Sequence, residues 1–130
     1  MDEPARYTID DTEHVRPIVR LCHLILRSGL TEGFTAVELT CPPGEMPTAR
    51  SERDGRWEWY MAFPPPAYGQ MVEYYERMAG VEAGAHEAEA TILVRLAGRN
   101  ATIGFTLRTN DRGDAELVLR FPEGSGAGTD

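Results

Sequence analysis

Ala90-Thr91-Ile92-Leu93-Val94-Arg95-Leu96 decides the fold. Ala90, Ile92, Val94 and Leu96 fall on one side of a two-residue period, the pattern of a half-buried strand. The pattern returns at Ala101, Ile103, Phe105 and Leu107, and again at Ala115, Leu117, Leu119 and Phe121. Gly98-Arg99-Asn100 and Asn110-Asp111-Arg112-Gly113 separate the three runs with turn-forming residues. The run of three predicts an antiparallel meander with one buried face and one wetter face. The wetter face carries Arg95, Arg108, Arg120 and Glu116, with Leu93 and Val118 among them. It reads as a solvated arginine stripe or as a protein contact.

On the N-terminal side, residues 81–88 form an acidic loop. Before it, Tyr68, Met71, Val72, Tyr75, Met78 and Ala79 recur at helical spacing, with Pro66 at the first helical position and Gly80 as the cap. Upstream, residues 48–53 and 56–63 flank Asp54-Gly55, a type I′ hairpin signal. A two-residue loop pairs Arg53 with Arg56, Glu52 with Trp57 and Arg50 with Trp59. Trp57, Trp59 and Met61 then share a face with Arg50 and Glu52, which is an odd mixture for a core. Either the register slips or this face meets a partner.

Thr35–Thr40 reads as another strand, closed by Cys41-Pro42-Pro43-Gly44. The first helix runs from His14 to Ser28. Val15, Ile18, Val19, Cys22, Ile25 and Leu26 lie inward; Arg16, Arg20, His23 and Arg27 lie outward; Gly29 is the expected cap. Residues 1–12 read as a loose acidic arm, and residues 123–130 as a disordered Gly/Ser-rich tail. The expected architecture is a single α+β domain over residues 13–122. Its element order is αβββαβββ, with an antiparallel sheet and the helices packed mainly on one face.

The chain has 130 residues and a formal charge of −8, with 42% hydrophobic residues. That is an ordinary globular composition for one domain. The acidic balance argues against nucleic acid, whose phosphates call for a basic surface. No run approaches the ~20 apolar residues needed to span a bilayer, so no membrane insertion is expected. The acidic start Met1-Asp2-Glu3-Pro4 is unlike a secretory signal, and a cytoplasmic location is the expectation. All 13 residues counted as Lys or Arg are Arg. Without lysine this chain can form neither a Schiff base nor a Walker-type phosphate loop.

Cys22 and Cys41 are far apart in sequence, with no paired histidine at ligand spacing; two reduced, partly buried thiols are expected. His14, His23 and His86 belong to no metal-binding motif, and His23 is expected on a helix surface. Asn100-Ala101-Thr102 matches a glycosylation sequon but reads as a turn. No catalytic, cofactor-binding or metal-binding residues are assigned. The candidate protein-contact residues are Arg50, Glu52, Trp57 and Trp59.

These segments, taken in order, resemble the N-terminal PAS-like subdomain of type II secretion and type IV pilus assembly ATPases. Residues 16–26, Arg-Pro-Ile-Val-Arg-Leu-Cys-His-Leu-Ile-Leu, resemble that family's opening "APVVKLVNxIL" helix. Thr35-Ala36-Val37-Glu38-Leu39 takes the place of "ASDIHIEP", and Arg50-Ser51-Glu52-Arg53-Asp54-Gly55 that of "RYRIDG". Tyr75–Val81 resembles "RLKxMAGLD"; Ile92–Leu96 and Gly113–Arg120 resemble "GRIxV" and "GExxVLR". The resemblance covers Val15 to Phe121. It implies a PAS-like α+β fold.

The charges of the family's nucleotide site do not carry over. Ala36 stands for an Asp, Glu38 for a His and Thr40 for a Glu. Arg50 remains from a pair of arginines, and Glu52 replaces the other. Gly84-Ala85-His86-Glu87-Ala88-Glu89 stands where the family has "ERRxPQDG". A glutamate placed against a transferring phosphate would repel it. The expectation is therefore a non-catalytic interaction or regulatory module without cofactor. Its partner would be a protein, with a secretion-type ATPase as one candidate, and self-association is left open. The alternatives are a small acidic secretion-chaperone-like protein that binds effectors as a dimer, and a PAS-like small-ligand sensor with a pocket near Tyr68, Tyr75 and Phe105.

Overall fold

A computed structural model describes residues 6–10, 16–82 and 84–122. Its elements are β1 (Tyr7–Thr8), α1 (Pro17–Glu32), β2 (Ala36–Thr40), β3 (Thr48–Arg53), β4 (Arg56–Ala62), α2 (Pro65–Ala79), β5 (Glu87–Leu96), β6 (Arg99–Thr109) and β7 (Ala115–Arg120). The strands form one seven-stranded sheet in the order β1-β5-β6-β7-β2-β3-β4. Each neighbouring pair is antiparallel except β1 with β5. The α+β class expected from the alternation is the class observed.

The three alternating runs become β5, β6 and β7, with Ile92 opposite Ile103 and Phe105 opposite Leu119. The loop after β5 is tighter than the sequence implied. Ala97 and Gly98 both take positive φ and form the whole turn, so Leu96 faces Arg99 and Asn100 is already in the β6 strand. The meander joins the first half of the chain through β2, where Val37 pairs with Leu119 and Leu39 with Leu117. Val37, Leu39, Ala49, Ile92, Val94, Ile103, Phe105, Leu107, Leu117 and Leu119 are all buried on one face of the sheet. Cys22, Ile25 and Leu26 of α1 and Met71, Val72 and Tyr75 of α2 complete the same core. Both helices therefore cover one face, and the other face carries Glu38, Arg50, Trp57 and Trp59.

Three expectations are corrected. The first helix does not run from His14 to Ser28 under a Gly29 cap; it spans Pro17–Glu32, with Arg16 at the N-cap and Gly33 capping its end in the left-handed conformation. Gly29 is a packing position instead. A Cβ there would lie 2.1 Å from the Phe121 ring, so the missing side chain lets the end of β7 close on the helix. His23 is also corrected: it is buried at the α1–α2 contact, with Nε2 2.8 Å from the Tyr74 hydroxyl. The expectation of a surface histidine fails because α2 covers that flank of α1.

The second correction lies in the hairpin. Its turn and register are as expected, with Asp54 and Gly55 both at positive φ. Arg53 faces Arg56, Glu52 faces Trp57 and Arg50 faces Trp59. Ala49, however, faces Met61, leaving Tyr60 without an opposite residue. This is a β-bulge. It turns both Tyr60 and Met61 toward the core, Tyr60 edge-on to Phe34 at 5.5 Å. Met61 thus leaves the face that holds Trp57 and Trp59, and Phe63 beyond it is buried.

The third concerns the stretch 1–12. Its described residues, 6–10, are not loose. Tyr7 and Thr8 pair with Val94 and Arg95, and Ile9 is fully buried. The Asp10 carboxylate accepts the Ala97 N–H at 2.7 Å, and the Arg6 guanidinium donates to the Ala101 carbonyl at 3.2 Å. The remainder of that stretch and the tail 123–130 lie outside the described residues.

Replacing Gly29 with Ala forces the Phe121 ring to move. The expected loss is about 1–3 kcal/mol of stability, the usual cost of overpacking, read as a lower urea midpoint. A Gly29→Ala protein as stable as wild type would show that the ring has room to give.

Candidate functional site

The surface assembled by β2, β3 and β4 brings together all four contact residues expected from the sequence. Hairpin geometry does this locally. The two-residue turn fixes the register, and the two-residue period puts Arg50, Glu52, Trp57 and Trp59 on one face. Cross-strand pairing with β2 adds Glu38, directly opposite Arg50. The Arg50 guanidinium bonds to the Glu38 carboxylate, and its centre lies 5.3 Å from the centroid of the Trp57 ring. Arg50 therefore stacks on an indole on one side and neutralises an acid on the other. Trp57 keeps 38% of its surface exposed and Trp59 keeps 68%. Neither tryptophan is core.

Sequence reasoning found these four but not Glu38 as their partner. Glu38 was legible as a polar strand position. Its place beside Arg50 depends on how β2 registers against β3.

The structure offers other chemistry-bearing groups. Burial pushes the Cys22 thiol up to about 12, with the Tyr75 hydroxyl opposing. That suppresses the thiolate, which is the reactive form. The Tyr75 hydroxyl donates to the Cys22 carbonyl at 2.8 Å. Tyr75 and Phe105 fill the core, so two of the three residues expected beside a ligand pocket are packed solid. Tyr68 is buried too, with its hydroxyl 3.1 Å from the Leu39 carbonyl. One flank of Tyr68 borders a cleft of about 470 Å³ that also touches Val72, Glu73, Glu76, His86 and Asp114. Burial raises the Glu76 carboxyl above its ordinary value, and a hydrogen bond from the Gly84 backbone opposes the rise. Among the described residues no cluster of His, Cys, Asp and Glu could hold a metal ion. No helix among them is long and apolar enough to cross a membrane.

Compared with known proteins, the chain matches no family model and no curated protein.

Two predictions follow from these environments. Burial lowers the His23 pKa below 6.5, and the nearby Arg27 charge lowers it further. The folded state thus favours the neutral imidazole, and among the described residues Nδ1 has no hydrogen-bond partner. The unfolded chain takes up the proton first, so the stability present above pH 6.5 declines as pH falls below it. The urea midpoint of wild type should fall more steeply through that window than that of His23→Gln; parallel profiles would refute this. The tryptophans provide the second. Intrinsic emission of the monomer should be red-shifted and quenched readily by acrylamide, with Trp59→Phe removing most of the quenchable signal. Blue emission closed to quencher would mean that both rings are covered.

Proposed function

We propose that this chain is a non-catalytic protein-interaction module. On this reading it keeps the scaffold of the PAS-like lobe of secretion-type ATPases and has lost the charges that would face a triphosphate. Residue placement supports the scaffold. Two three-stranded meanders, each preceded by a helix, are joined by their first and last strands, β2 and β7. Charge supports the loss of activity. Arg50 is the arginine that the resemblance would aim at phosphate, and it is occupied by Glu38. Glu52 stands beside it on the same strand face.

The observation that carries the reading is the exposure of Trp59, at 68%, beside Trp57 and Arg50 on one sheet face. Tryptophan and arginine are the side chains that most often anchor protein interfaces, because each offers a large rigid contact area with a polar handle. The alternative of a secretion chaperone dimerising through an apolar helix face has less support. The apolar faces of α1 and α2 are spent on the sheet, leaving Leu24 as the exposed large hydrophobic of the helices.

The test is binding to a purified secretion-type ATPase and, in parallel, to ATP alone, both by calorimetry. The motor should bind, and a Trp57→Ala/Trp59→Ala protein with unchanged circular dichroism should bind at least about tenfold more weakly, as loss of a central anchor implies. ATP alone should give no heat. Equal affinity of the double variant, or ATP turnover by the pure chain, would overturn the reading.

A further inference from the structure

β4 is an edge of the sheet. It pairs with β3 on one side, and no described strand lies on the other. Natural edge strands are commonly guarded by proline, lysine or an inward-pointing charge, because their free N–H and C=O groups template further pairing. Arg56–Ala62 contains neither proline nor lysine; Glu58 falls on the core-side face opposite Ser51 but stays exposed beyond the helices' cover, and the bulge protects only the end beyond Trp59. The residues before the bulge, Arg56, Trp57, Glu58 and Trp59, are all exposed.

Which backbone groups face outward follows from the turn. Arg53 and Arg56 close the two-residue loop, so the N–H and C=O of Arg56 point into the hairpin. Alternation sends those of Glu58 inward as well and those of Trp57 and Trp59 outward.

We propose that a second copy of this chain pairs antiparallel with β4 about a two-fold axis at Trp57. This inference rests on the Trp57–Trp59 strip being a contact surface, and it names the occupant. A two-fold axis perpendicular to a sheet keeps every side chain on its own face. The axis must therefore lie at a residue facing its own mate, and before the bulge the choices are Trp57, Glu58 and Trp59; an axis at Trp59 would set Glu58 against the bulged Tyr60 of the second copy and interrupt the ladder at once. An axis at Glu58 would set two glutamates directly opposite each other, which is unfavourable. An axis at Trp57 sets Arg56 opposite Glu58 of the second copy and Glu58 opposite its Arg56. The same register lets the outward N–H and C=O of Trp57 exchange both bonds with their symmetry mates. The two Trp57 rings then meet on the open face, each backed by its own Arg50. Charge, backbone direction and the aromatic face select one register, and the two seven-stranded sheets become one continuous sheet.

Sedimentation equilibrium of the full chain over a range of concentrations tests this. Wild type should form dimers. Arg56→Glu and Glu58→Arg, both at exposed positions, should each raise the dimer dissociation constant about tenfold or more, since each turns two attractive cross-strand pairs repulsive. The double variant Arg56→Glu/Glu58→Arg restores the pairing with its sign inverted and should return to near the wild-type constant. A monomer at every concentration, or a double variant no tighter than the singles, overturns the proposal. A wild type that stays monomeric but still loses its motor partner on Trp57→Ala/Trp59→Ala would sink the self-pairing and leave the contact-surface reading standing.

Discussion

The pairing of β2 with β7 is the constraint on which the rest of the molecule depends. Without it the strands fall into a four-stranded sheet, β1-β5-β6-β7, and a three-stranded sheet, β2-β3-β4, whose apolar faces no longer form one surface. With it, Val37 and Leu39 lie against Leu119 and Leu117 at the centre of one sheet, under both helices. Hydrogen bonds extend the seam past the strand ends. The Phe121 N–H donates to the Thr35 carbonyl, and on the other side of β2 the Thr35 N–H donates to the Glu52 carbonyl of β3. The same residue that closes this seam, Phe121, then fills the space left by Gly29 on α1. Strand pairing and helix docking are thus coupled through one ring and one missing side chain.

A consequence of covering a sheet on one side is that the other side is free for chemistry or contact. Here that side is not a random polar surface. Arg50 is held between Glu38 and Trp57, so its charge is largely satisfied and its planar group presents a stacked surface. An exposed ion pair of this sort contributes little to stability. Its effect is to remove a free guanidinium and to steady an indole.

The helical side is built differently. Cys22, His23, Tyr74 and Tyr75 put four polar groups at the contact between α1 and α2. Burial shifts each of them toward its neutral form. The Tyr74 hydroxyl meets the His23 ring and the Tyr75 hydroxyl donates to the Cys22 carbonyl, so these groups tie the two helices together. Among the described residues the Nδ1 of His23 has no hydrogen-bond partner, and burial and the Arg27 charge hold its ring toward the neutral form.

Much of this was written in local sequence. The period-two runs fixed which residues share a strand face, and Asp54-Gly55 fixed the register that unites Arg50, Glu52, Trp57 and Trp59, because turn geometry involves only neighbouring residues. What local sequence could not show were decisions between distant segments. Tyr60 bulges because Met61 and Phe63 gain more from the core than the regular ladder would return. His23 is buried because α2 packs across a flank that looked polar from α1 alone. Tyr7 to Ile9 are held because β5 offers them an edge and Ile9 packs into the core. Each of these turns on which surfaces meet, and that competition is settled only when all the apolar faces are buried together.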